Sequence, residues 1–142
     1  MKILMSRRNN RAVEELQNND LINNATESEL WSILHSEDKS RVAFVENVTE
    51  EMLEYLMDDE DTRTRCCVAL SAKTPEHLLE LLAEDPNPYV RSQAVRNPNI
   101  SLATIKKLCQ DPDKEVQYAA CSALGKYFAE HPDVLQKELH GQ

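Results

Sequence analysis

Residues 64–89, TRCCVALSAKTPEHLLELLAEDPNPY, lie in register on residues 90–115, VRSQAVRNPNISLATIKKLCQDPDKE. A shift of 26 puts Asp85-Pro86 on Asp111-Pro112, Leu82 on Leu108, Leu79 on Ile105 and Ala69 on Val95. One step back, Asp59 falls on Asp85, Leu56 on Leu82, Leu53 on Leu79 and Val42 on Val68. One step forward, Val116 falls on Val90 and Ala120 on Ala94. A related shorter unit, ATESELWSIL (25–34), precedes them at a 23-residue offset. A constant period of this size means stacked units, none of which can bury its apolar face alone.

Each unit reads as two helices. A short first helix is expected near 40–46, 65–71, 90–96 and 116–124, and a more regular second helix near 50–58, 75–84 and 101–110. Met52, Leu53, Leu56 and Met57 correspond to Leu78, Leu79, Leu82 and Ala83, and then to Thr104, Ile105, Leu108 and Cys109. These positions share one helical face, which should be the core. Thr26, Thr49, Thr74 and Ser101 stand where a side-chain oxygen can accept the unpaired amide hydrogens of a first turn. Pro75 suits the first helical position, and Thr26 with Glu29 has capping-box spacing. Proline after Asp85 and Asp111 stops the helix before it.

The Asp-Pro turn followed by Val-Arg (Asp85, Pro86, Val90, Arg91), an alanine-rich short helix and a Pro-led leucine helix resembles HEAT-like and leucine-rich variant repeats. The resemblance covers about residues 25–124. It implies an all-α fold, a short right-handed α-solenoid of about four stacked helix pairs with helical caps. It also implies a buried ladder between units made by Asp59, Arg65, Asp85 and Arg91, from which Gln117 departs. Some leucine-rich variant proteins carry a cysteine-ligated iron–sulfur segment at the N-terminus. No cysteine precedes Cys66 here, so no such cofactor is expected. The whole chain, 1–142, reads as a single repeat domain, with a capping helix in 1–24 (Ala12, Val13, Leu16, Leu21) and a C-terminal cap in 125–142. Gly125 and Pro132 are expected to break that cap into two helices.

Composition limits function. The chain has 142 residues, 25 acidic and 16 basic, a net charge of −9 and only 2 glycines. An acidic protein is repelled by phosphate backbones and anionic lipid, which makes nucleic acid and membranes poor partners and a basic protein a good one. No apolar run reaches the ~20 residues of a membrane helix, and the start MKILMSRRNN reverses the order of a secretory signal. Cys66, Cys67, Cys109 and Cys121 show no CxxC spacing, so a reduced cytoplasmic setting and small packing roles are expected. His35, His77, His131 and His140 form no ligand pair, no phosphate loop or nucleophile elbow occurs, and neither metal nor catalysis is expected.

Charge is unevenly spread. Val42 to Thr62 holds eight acidic residues and no lysine or arginine, whereas Pro86 to Gln110 holds Arg91, Arg96, Lys106 and Lys107 and no acidic residue. For any single charge, a solvated surface explains this. Stacking, however, lines up equivalent outward positions: Glu51 with His77, Glu54 with Glu80, Tyr55 with Leu81, Asp58 with Glu84. Trp31 joins the Glu54 column and His35 the Asp58 column. Trp31, Tyr55 and Leu81 amid Glu50, Glu51, Glu54, Asp58, His77, Glu80 and Glu84 compose an expected partner-binding face, since interfaces pair aromatic anchors with a charged surround. Packing of Trp31 and Leu81 under the N-terminal helix or a neighbouring unit is the competing expectation. The preferred function is a non-enzymatic module docking a basic protein, as an inhibitor or a toxin-immunity protein would. The alternatives are nucleic-acid binding through Arg91, Arg96, Lys106 and Lys107, a HEAT-like lyase, and self-association of the acidic with the basic end.

Overall fold

The computed structural model describes residues 22–141 and divides the chain into two compact units at Thr74/Pro75. The described residues contain helices and turns but no strand. Ala12, Val13, Leu16 and Leu21 of the expected N-terminal cap lie outside them.

The first unit holds α1 (Glu27–Leu34), a 3₁₀ turn (Lys39–Phe44), α2 (Glu50–Met57) and α3 (Thr62–Leu70). A full capping box opens α1: Glu29 N donates to Thr26 Oγ1, and Thr26 N donates to Glu29 Oε2 at 2.7 Å. Thr49 accepts from Met52 N at the start of α2. The helix expected over 40–46 is instead six residues of 3₁₀ turn. So short a segment, with no side-chain cap at Asp38, does not sustain the costly nucleus of an α-helix. Leu30, Ile33, Leu34, Val42, Val45, Met52, Leu53, Leu56 and Val68 are all fully buried in this unit. The second-helix face read from the period is therefore the core, with Met57 half-buried at its edge. Ser71 donates its hydroxyl to the Ala43 carbonyl and Thr74 to that of Val68, so these buried polar groups are satisfied.

The second unit holds α4 (Glu76–Leu82), α5 (Pro88–Val95), α6 (Leu102–Leu108), α7 (Lys114–Glu130) and α8 (Pro132–His140). Leu78, Leu79, Leu82, Ala83, Val90, Ala94, Val95, Ile105, Leu108, Val116 and Ala120 form its core. Ser101 caps α6 by accepting from Thr104 N. The helix starts one residue later than expected: Pro75, not Thr74, is the extended cap of α4 (φ −72, ψ 162) and Glu76 opens the helix, the Thr74 hydroxyl being spent on the Val68 carbonyl.

Three turns repeat at the 26-residue period. Asp59, Asp85 and Asp111 each accept, on Oδ1, the amide hydrogen two residues on (Asp61, Asn87, Asp113) at 2.8, 2.9 and 2.9 Å. Asp61, Asn87 and Asp113 in turn cap α3, α5 and α7. This Asp-x-Asx signature turns the chain and opens the next helix with side-chain acceptors alone.

Two details of the C-terminal region depart from expectation. Gly125 does not break the helix: α7 runs unbroken through it to Glu130, and Gly125 adopts no positive φ. An interior glycine costs a helix only about 1 kcal/mol, and the alanine- and leucine-rich turns around it outweigh that. Pro132 does make the break, opening α8. Cys121 is exposed rather than a buried packing residue. Its period equivalents Ala69 and Val95 are fully buried, whereas Cys121 lies on the side of α7 left uncovered in this unit.

Candidate protein-binding surface

The outward face of α2 follows from its inward one. With Met52, Leu53 and Leu56 buried, helical geometry turns Glu51, Glu54, Tyr55 and Asp58 outward, and all four are exposed, as is Glu50. Tyr55 is 44% exposed and sits between two other rings. Trp31, from α1, meets it edge to face at a centroid distance of 5.9 Å, and His35 does so at 5.8 Å. The Tyr55 hydroxyl lies 3.4 Å from His35 Nδ1. Trp31 is half-buried, so it both packs and contributes surface. Sequence reading placed Trp31, Tyr55 and His35 in three different columns of this face and missed that the three rings gather.

Glu46, Asp59 and Asp61, among the eight acidic residues between Val42 and Thr62, meet cations. Glu46 pairs with Lys73 at 3.2 Å, Asp59 with Lys39 at 2.6 Å and Asp61 with Arg63 at 3.1 Å. Glu51, Glu54, Asp58 and Glu60 make no ion pair among the described residues. The rings are thus bordered by uncompensated carboxylates, an arrangement able to steer and then anchor a cationic surface.

In the second unit His77, Glu80, Leu81 and Glu84 are exposed, Leu81 by 55%. Glu84 pairs with Lys107 at 2.6 Å, and that hydrogen bond holds its carboxyl below the ordinary value. Lys106 likewise meets Glu138 at 2.6 Å. Arg91 is committed to structure. Its Nε and Nη2 donate to the two oxygens of Asp111 at 2.9 and 3.0 Å, and its Nη1 donates to the Asp85 carbonyl at 2.8 Å. Arg65 makes the same carbonyl bond to Asp59, and Gln117 makes it to Asp111 at 2.6 Å. Lys39 holds Asp59, twenty residues ahead, just as Arg91 holds Asp111. Lys39 and Asp111 were missed as ladder members. The signal for them was present in the constant 20-residue spacing from cation to Asp, obscured by Lys standing for Arg.

A family model described as HEAT repeats matches residues 75–137. HEAT repeats are helix pairs that generally serve as protein-interaction modules. Residues 25–74 carry the same HEAT-like period outside the matched stretch. No curated protein and no solved structure matches the chain. No helix among the described residues is long and apolar enough to cross a membrane.

Proposed function

We propose that this HEAT-like chain is a non-enzymatic binding module, a single repeat domain over residues 1–142, whose acidic face docks a basic protein partner in the cytoplasm. The observation that carries the reading is the ring cluster Trp31–Tyr55–His35 on α1 and α2, bordered by Glu51, Glu54 and Asp58, none of which is neutralised within the described residues. In the second unit, His77, Glu80, Leu81 and Glu84 on α4 are taken as further partner-binding residues. A basic enzyme occluded by this face, as an inhibitor or an immunity protein would occlude it, fits the charge and the small size.

The rival readings have less support. Of the four cations offered for nucleic acid, Arg91, Lys106 and Lys107 each already hold a carboxylate. A lyase-type enzyme would need an activated nucleophile or acid in a groove. Burial pushes the Cys67 thiol up, and burial together with the neighbouring Cys121 thiol pushes Cys109 up to about 11, which opposes thiolate formation.

The test is capture from native lysate at about 0.15 M and 1 M salt, comparing the wild type with a Tyr55→Ala, Glu54→Lys double variant. A basic protein retained by the wild type at low salt and lost by the variant is expected. Equal capture by both, or capture of nucleic acid instead, overturns the reading.

A further inference from the structure

An open groove of about 760 Å³ runs between α5, α6 and α7 of the second unit. Val95, Ile105 and Ala119 line its floor, and Tyr118, 78% exposed, stands at its side. Arg96 and Lys126 are on its rim, as is one carboxylate, Glu130. The other basic residues that the sequence clusters here are engaged: Arg91 by Asp111, Lys106 by Glu138, Lys107 by Glu84. Arg96 and Lys126 make no ion pair among the described residues. Two of this unit's cations that make no ion pair among the described residues, Arg96 and Lys126, therefore border an apolar groove, while Lys114 and Lys137 lie outside it.

The first unit carries the complement. Glu51, Glu54, Tyr55 and Asp58 fall within one stripe of α2, so carboxylates flank an exposed aromatic ring. We propose that the groove receives the α2 face of a second copy of this chain, with Tyr55 against the apolar floor and Glu51 and Glu54 meeting Arg96 and Lys126. The inference rests on the reading of α2 as a docking face and supplies its basic partner. Net charge does not forbid it. At about 0.15 M salt the Debye length is about 8 Å, so the charges in contact outweigh the repulsion of the whole molecules. Because the two patches differ, the contact is head to tail, and each pair of copies keeps one open groove and one open face.

Sedimentation velocity tests this with three full-length proteins: the wild type, a groove variant (Arg96→Glu, Lys126→Glu) and a face variant (Glu51→Lys, Glu54→Lys). All substituted positions are exposed, and far-ultraviolet circular dichroism confirms that each variant folds. The wild type is expected to self-associate with rising concentration at about 0.15 M salt and to do so less at 1 M. Each variant alone should self-associate at least about tenfold more weakly. Mixed together, the two variants should associate again, since the groove variant's face meets the face variant's unaltered groove and the two reversed patches are once more opposite in charge. A wild type that stays monomeric overturns the inference while leaving the α2 face to its own capture test. A groove variant that still associates removes the groove as receptor. A face variant that still associates removes α2 as the docking face itself.

Discussion

At the scale of single residues, one aspartate does two jobs with two oxygens. Asp111 accepts the Asp113 amide on Oδ1 and the Arg91 guanidinium across both oxygens, with side chains only 6% and 14% exposed. Burial alone would push the Asp111 carboxyl up, but Arg91 and the Asp113 amide hold it below the usual value. Asp59, similarly desolvated, is held low by Lys39 and the Asp61 amide. Removing one member of so enclosed a pair strands the other, so Arg91→Met should cost about 3 kcal/mol, read as a lower urea midpoint with unchanged slope. The pH dependence has a definite sign. Carboxyls depressed on folding add stability that is fully present above their unfolded value of about 3.9, and that stability drains away as pH falls through the lower folded value. Thermal melts of the wild type should therefore fall steeply below about pH 4, and the Arg91→Met protein should show a shallower fall, because one depressed carboxyl has been released.

At the scale of elements, all the helices but α4 and α8 are held at their starts by side-chain oxygens. Asp113 accepts from both Glu115 N and Val116 N, so Asp113→Ala should weaken α7 by about 1 kcal/mol. Gly125 is the opposite case. A Cβ built there meets nothing within 4 Å, and the backbone is already helical, so Gly125→Ala should stabilise α7 by about 0.5–1 kcal/mol, visible as a higher melting temperature. These elements also show what could be read in advance. The second helices were legible because Leu53, Leu79 and Ile105 recur on a 3.6-residue face that folding cannot place elsewhere. The 3₁₀ turn was not, because six residues carry too little periodicity to separate two helix types. The uninterrupted α7 was missed because a glycine's breaking tendency is weak beside the packing of Val116, Ala119 and Ala120. The caps at Asp61, Asn87 and Asp113 were legible but unread; they lay hidden in the turn residues rather than in the apolar ones.

At the scale of the molecule, sequence charge misled where it counted totals and informed where it counted pairs. The run from Pro86 to Gln110 looks basic, yet three of its four cations are neutralised by carboxylates from outside the run. The acidic run around α2 keeps Glu51, Glu54, Asp58 and Glu60 without an ion pair among the described residues, and its ring cluster required coordinates because His35 and Tyr55 are twenty residues apart. With a net charge of −9, the protein should give no shift of duplex DNA at about 0.15 M salt in a gel assay, and should be retained by an anion exchanger at neutral pH.

The reach of Lys39 to Asp59 and of Arg91 to Asp111, each twenty positions ahead, has a bearing on how such a chain changes length. Splicing in one more copy of residues 86–111 leaves every donor opposite an acceptor of the same kind, because the added stretch brings its own turn, its own cap and its own arginine. A graft one residue longer or shorter would rotate a leucine face away from its neighbours and leave a guanidinium facing nothing. Growth in quanta of twenty-six is therefore the path that the chemistry of the turns leaves open, and a lengthened protein built that way should unfold with a higher midpoint than one built with any other increment.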